Sequence, residues 1–103
     1  MTYNNNDNKI VLVGFVSEWC GACHAQSPIL DELGKNIEQL KLSVGNKAEI
    51  IQVDVDKHRD IVREWKVDAT PTLFILKNDN IFKKFIGFTD RNILEYAINN
   101  ALT

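Results

Sequence analysis

Between Ile10 and Val16 the chain reads IVLVGFV, an uncharged run that passes through Ser17 and Glu18 and then, from about Ala22, into a helical pattern. A strand that is apolar on both faces has to be covered on both, which a hairpin resting on one surface does not achieve. The pattern that follows puts Leu30, Leu33, Ile37, Leu40 and Val44 three and four residues apart on one helix face, with Gly45 and Asn46 as the stop. Pro28 lies inside this helix, where it removes one backbone donor and predicts a kink, and Gly34 is a second soft point. The segment EIIQVDV, Glu49 to Val55, reads as a second strand, and Arg59 to Trp65 as a short helix turning Ile61, Val62 and Trp65 inward. Thr72 to Leu76 and Ile81 to Phe85 form two more strands, joined by Asn78, Asp79 and Asn80 as an antiparallel hairpin. Gly87 closes the hairpin, and Thr89 or Asp90 caps a last helix carrying Leu94, Ala97, Ile98 and Leu102 on one side. The order β-α-β-α-β-β-α is that of an α/β layer architecture. It occupies residues 9–103 as a single domain, behind a polar, asparagine-rich flexible tail over residues 1–8.

A chain of 103 residues has no room for a second domain. Its 45% hydrophobic and 25% charged residues are the balance of an ordinary soluble globule. Fourteen acidic and twelve basic residues are interspersed and leave a net charge of -2, so no basic stripe exists to follow nucleic acid or an anionic membrane. The apolar runs fall short of the ~20 residues that a membrane helix requires. Met1 to Asn8 has neither the basic start nor the apolar core of a signal peptide. These features read as a cytoplasmic protein, or as an exported, periplasmic one whose signal has been removed.

The chemistry is concentrated in WCGACH, Trp19 to His24. Cys-x-x-Cys-His is the attachment signature of a c-type haem, while Cys-x-x-Cys after an apolar strand is that of a redox dithiol. Haem commonly needs a second axial ligand, for which the chain offers only Met1 and His58. Structural zinc usually takes four Cys or His ligands, and beyond Cys20, Cys23 and His24 only His58 remains, so no metal site is assigned. Only two cysteines occur, which rules out a stapling disulfide framework. Where a strand feeds a helix, Cys20 falls at the helix N-terminus, beside unpaired N–H groups and the positive end of the dipole; both favour thiolate. Cys23 lies one turn further in and is less exposed. The two-residue spacer lets the sulfurs meet in a tight disulfide suited to reversible exchange.

The run FVSEWCGACHAQSPILDEL resembles the active-site strand and helix of the thioredoxin family, and the similarity extends from Lys9 to Leu102. Thr70-Pro71-Thr72 matches the family's cis-proline loop, Gly87 the glycine after the hairpin, and Pro28 the proline within the active-site helix. The resemblance implies a thioredoxin-like fold, a central mixed sheet flanked by helices, with a shortened N-terminus. It implies a thiol-disulfide oxidoreductase in which Cys20 attacks a protein disulfide and Cys23 resolves the mixed disulfide. Trp19, Thr70, Pro71, Ile86 and Gly87 would line the substrate groove, with the Thr70–Pro71 bond cis, and Gly21, Ala22 and His24 would tune the thiols. The implied cofactor is none beyond the redox-active Cys20–Cys23 disulfide. The implied partners of a monomeric protein are protein disulfides and a recycling reductase. A second reading keeps the same groove as a peptide- or copper-binding module without turnover.

The sequence departs from the family in four places. Only eight residues precede Lys9, where the family has an extra strand and helix. Gly14 stands where the family has a buried aspartate, and Gln52 where that aspartate has its lysine partner. The spacer Gly21-Ala22 replaces the usual Gly-Pro, leaving the direction of electron flow open. The stretch from Ile37 to Glu49 is several residues longer than usual. Trp65, Phe74, Phe82 and Phe85 read as core or near-core residues, and Asp54, Asp56, Lys57 and Arg59 as a solvated charged loop.

Overall fold

The computed structural model describes residues 8–36 and 47–102. The chain forms β1 (Lys9–Val16), α1 (Gly21–Lys35), β2 (Lys47–Asp54), α2 (Arg59–Glu64), β3 (Thr72–Lys77), β4 (Asn80–Ile86) and α3 (Arg91–Leu102). The four strands make one mixed sheet in the order β2-β1-β3-β4, with β1 parallel to β2 and antiparallel to β3, and β3 antiparallel to β4. β1 is thus interior to the sheet, as its unbroken apolar run requires.

The two faces of β1 open two cores. Ile10 and Leu12 pack with Leu73 and Ile75 of β3 beneath Leu30 and Leu33 of α1 and Leu94, Ala97, Ile98, Ala101 and Leu102 of α3. Val11, Val13 and Phe15 point the other way and join Phe74, with Val62 and Trp65 over them. There Phe15, Trp65 and Phe74 make a ring triangle with centroids 5.1 to 5.7 Å apart, in tilted and edge-to-face contacts. Helices therefore cover both sides of the sheet. Arg91 at the start of α3 reaches Glu32 on α1 and Glu95 one turn further along its own helix, tying the two helices on the first face.

The hairpin turn follows from its residues. Asn78 and Asp79 both take positive φ, 52° and 71°, the conformation that a two-residue turn between right-twisted strands requires. Asn78 is further fixed to the start of β1, since its N–H donates to Lys9 O and its Oδ1 accepts from Lys9 N, both at 2.8 Å. Asn8 belongs to this lock and not to a tail. It is buried, its Oδ1 accepts from Asn78 Nδ2 at 3.2 Å, and its carbonyl accepts from Lys47 N at 2.8 Å.

Two packing expectations are corrected, and a third falls mostly outside the described residues. α1 closes at Lys35, where the Asn36 N–H bonds back to Glu32 O and Leu33 O, and the continuation expected over Ile37 to Val44 lies outside the described residues. Ile61 is exposed because α2 has only six residues, and its inward side is taken by Val62 and by Trp65 just beyond its end. Phe82 is exposed as well: β4 is the sheet's outer strand, and of its side chains only Phe85 is partly buried.

Candidate active site

Ser17 organises the turn between β1 and α1. Its hydroxyl donates to Asp56 Oδ2 at 3.1 Å and accepts the Trp19 N–H at 3.3 Å, while its carbonyl accepts the Cys20 N–H at 3.3 Å. The chain so held turns Trp19 outward, where it is 87% exposed, and sets Cys20 as the N-cap of α1 in an extended conformation. A helix leaves its first N–H groups without intrahelical partners. Here the cap is a sulfur: the Cys23 N–H donates to Cys20 Sγ at 3.2 Å. Both cysteines are free thiols, Cys20 partly exposed and Cys23 only 2% exposed. Gly21 and Ala22, the spacer, are both exposed on the first turn.

The opposite wall is the segment before β3. The Thr70–Pro71 peptide is cis, and Thr70 O lies 3.3 Å from Cys20 Sγ. The Pro71 carbonyl accepts the Gly87 N–H at 2.8 Å, and Gly87 takes φ of 91°, a value that L side chains rarely adopt. Ile86, in register with Thr72 at the end of β4, is exposed beside it. The structure thus gathers Cys20, Thr70, Pro71 and Gly87 by direct contacts, with Trp19 on the other flank of Cys20.

The electrostatics separate the two sulfurs. Cys20 is held below the ordinary thiol range, first by the hydrogen bond from the Cys23 thiol, then by the Thr70 side chain and the N–H groups of Cys23 and Ala22, against a smaller opposing effect of burial. The Thr70 carbonyl acts the other way, since an oxygen without a hydrogen can accept only from the protonated thiol. The donors outnumber it. Cys23 is pushed up, mainly by burial and then by the hydrogen bond it gives to Cys20.

At position 14, where the family pattern has a buried aspartate, this chain has glycine. A Cβ on Gly14 would stand 2.8 Å from Leu30 Cδ1 and 3.2 Å from Leu73 Cδ2, so apolar atoms fill the space. Gln52, opposite Gly14 on β2, turns away and donates to Asp31 Oδ1 on α1 at 2.8 Å. Cys23 instead borders a surface cleft of about 420 Å³ that it shares with His24, Asp31 and Asp54 among others. Asp54 is therefore part of the site's surroundings as well as the end of β2. The His24 ring donates from Nε2 to Glu18 O at 2.8 Å; a carbonyl only accepts, so Nε2 carries hydrogen. Among the described residues no three His, Cys, Asp or Glu side chains gather as metal ligands, and the cysteine pair offers two sulfur donors.

One further polar residue, Gln26, belongs to the surroundings of the site. It lies three residues past Cys23 and four before Leu30, in the inward register of α1, and is fully buried. A polar residue in that apolar stripe was the available signal.

The chain matches the thioredoxin family model over residues 2–100. The chain belongs to the thioredoxin family. It is 30% identical to the thioredoxin of Bacillus subtilis over 90% of its own length and 83% of that protein. It is 33% identical to mouse mitochondrial thioredoxin over 87% of its length but only half, 50%, of that chain. Among solved structures, thioredoxin-2 of the malaria parasite, described as a component of protein secretion machinery, superposes with a TM-score of 0.77 at 26% identity, covering 97% of this chain and 98% of that one. The fold is accordingly thioredoxin-like, and this family member is a thiol-disulfide oxidoreductase carrying the family's Cys-x-x-Cys pair. Relatives include mitochondrial and chloroplastic proteins, and no helix among the described residues is long and apolar enough to cross a membrane.

Proposed function

We propose that the protein reduces protein disulfides, with Cys20 as nucleophile and Cys23 as resolving thiol. The asymmetry of the pair carries this reading: one sulfur is reachable and favoured as thiolate, while the other is buried and favoured as thiol. The Cys20 thiolate attacks one sulfur of the substrate disulfide; a Cys20–substrate bond forms and the other substrate sulfur leaves as thiolate, to be protonated. Cys23 then loses its proton and attacks Cys20 Sγ, closing the Cys20–Cys23 disulfide and expelling the second substrate thiolate. Two electrons have passed to the substrate, and a separate reductase restores the dithiol. No bound cofactor enters the cycle. With Leu30 where an acid would sit, the Cys23 proton leaves by the cleft shared with His24, Asp31 and Asp54. Trp19, Thr70, Pro71, Ile86 and Gly87 hold the substrate chain as a monomer's groove, and Gly21, Ala22 and His24 set the potential.

The test is insulin reduction driven by dithiothreitol. The protein should accelerate it, Cys20→Ser should abolish the acceleration, and Cys23→Ser should accumulate a substrate-linked mixed disulfide through Cys20. Equal turnover by wild type and Cys20→Ser overturns the assignment.

A further inference from the structure

Three segments form the site: the start of α1, the segment before β3, and the loop from Gly87 to Asp90 that leads into α3. Beyond the Gly87 N–H, which reaches Pro71 O, no strand among the described residues pairs with this loop. Gln26 supplies the partner. Its Nε2 donates to Thr89 O at 3.0 Å and its Oε1 accepts the Thr89 N–H at 2.7 Å, with Gln26 wholly buried and Thr89 nearly so. One amide thus reproduces the donor and acceptor pair that a neighbouring strand would present.

From there further bonds lead back toward Cys20. Thr89 Oγ1 donates to Gly87 O at 3.1 Å, the Gly87 N–H donates to Pro71 O at 2.8 Å, and the next carbonyl back, that of Thr70, lies 3.3 Å from Cys20 Sγ. Cys20 in turn accepts the N–H of Cys23, one helical turn before Gln26. Hydrogen bonds and short stretches of backbone thus link the three segments around the groove, and Gln26 is where the helix bearing the thiols joins the loop bearing Gly87.

We propose that Gln26 is a positioning residue for protein substrates: it fixes the Gly87 side of the groove relative to Cys20 and so sets how well an extended chain is held, without altering the thiols themselves. The proposal rests on the assignment of Cys20 and of the groove made above. An apolar side chain of the same length, as in Gln26→Met, would fill the volume but leave the buried N–H and C=O of Thr89 without partners, so the loop would shift to recover them. Gln26→Glu is more telling. Protonated, its carboxyl donates to Thr89 O and accepts from Thr89 N; ionised, it keeps the second bond and repels the carbonyl.

Two substrates separate the effects. A disulfide-containing peptide long enough to lie in the groove reports positioning, and a small aromatic disulfide that needs only the exposed sulfur reports the thiol. Gln26→Met should raise KM for the peptide by about five-fold, the factor that corresponds to one neutral hydrogen bond, and leave the small-disulfide rate within about two-fold. For Gln26→Glu, the ratio of its peptide KM to that of wild type should be near one in acid and climb as pH rises through the new carboxyl's titration. A ratio that stays flat across the pH range in which the new carboxyl's infrared band shows it ionising overturns the proposal even if Gln26→Met fails to fold, because the ratio at one pH is compared with the ratio at another. Equal loss toward both substrates also overturns it, since Gln26 would then act on the cysteines. Wild-type protein inactive toward both substrates would refute the function itself, a separate result.

Discussion

Leu30 Cδ1 occupies the space above Gly14, 2.8 Å from where a side chain at that position would begin. A methyl carbon therefore fills the place that the family pattern gives to a carboxylate.

Gly14→Ala should consequently destabilise the protein. Replacing glycine by alanine in a strand ordinarily contributes about 0.4 to 1 kcal/mol by restricting the unfolded chain. Overpacking of a filled core costs about 1 to 3 kcal/mol. Leu30 and Leu73 are both fully buried and have little room to retreat, so the second effect wins. Gly14→Asp should be worse still, because it adds a buried carboxylate without a partner; Gln52, the nearest amide opposite, is engaged with Asp31. Urea midpoints check this, and an unchanged midpoint for Gly14→Ala would show that Leu30 can swing aside.

The same two residues show what the sequence could and could not convey. The absence of an acid at Gly14 was legible, since it needs only the resemblance of FVSEWCGACH to the family pattern. What replaced the acid was not, because Leu30 is sixteen positions away and reads simply as one apolar helix residue among several. Periodicity found the strands, the hairpin with Asn78 and Asp79, and the α3 face, all of which depend on neighbours in the chain. It misjudged Ile61 and Phe82, whose burial depends on whether a helix is long enough or a strand has a second neighbour. Gln26 was lost for a related reason: its partner, Thr89, is remote in sequence.

Trp19 should matter for substrates and not for folding. At 87% exposure it buries little surface, so Trp19→Ala should leave stability within about 0.5 kcal/mol of wild type. An aromatic beside a reactive sulfur is, however, the kind of anchor whose truncation costs about 1 kcal/mol or more in recognition. We expect KM for a protein disulfide to rise several-fold and the rate with a small disulfide to stay the same. A parallel fall in both rates would place the effect of Trp19 on Cys20 and not on the partner.

Alkylation should distinguish the two thiols by pH. Only thiolate reacts, so modification of Cys20 should rise through a midpoint below the ~8.5 of a free cysteine, because the Cys23 thiol, Thr70 and two backbone N–H groups favour its ionised form. Cys23 should remain unreactive until well above that value, held back by burial and by its bond to Cys20. The pair titrates as a unit, so the two midpoints belong to the dithiol. In Cys20→Ser, which removes the charge that Cys23 must ionise beside, the Cys23 midpoint should fall. Mass-resolved iodoacetamide labelling across pH reads all three, and a single shared midpoint in the wild type would remove the basis for separate roles.

The opposed shifts also give the reduced protein a distinctive stability profile. Stability increases with pH wherever the unfolded chain holds more protons than the folded one. For Cys20, whose folded pKa is lowered, that interval runs from its folded midpoint up to about 8.5, where the unfolded thiol also ionises, and the gain is kept above it. For Cys23, whose folded pKa is raised, the contribution is complete below about 8.5 and is lost as pH climbs from there through the folded midpoint. Their sum rises and then falls, with its crest near the pKa of a free thiol. Subtracting the Tm of a Cys20→Ala, Cys23→Ala variant from that of the reduced wild type at each pH isolates this contribution from every other titrating group. A difference that only climbs, or only declines, between pH 6 and 10 would mean that one of the two sulfurs is not shifted in the direction its surroundings require.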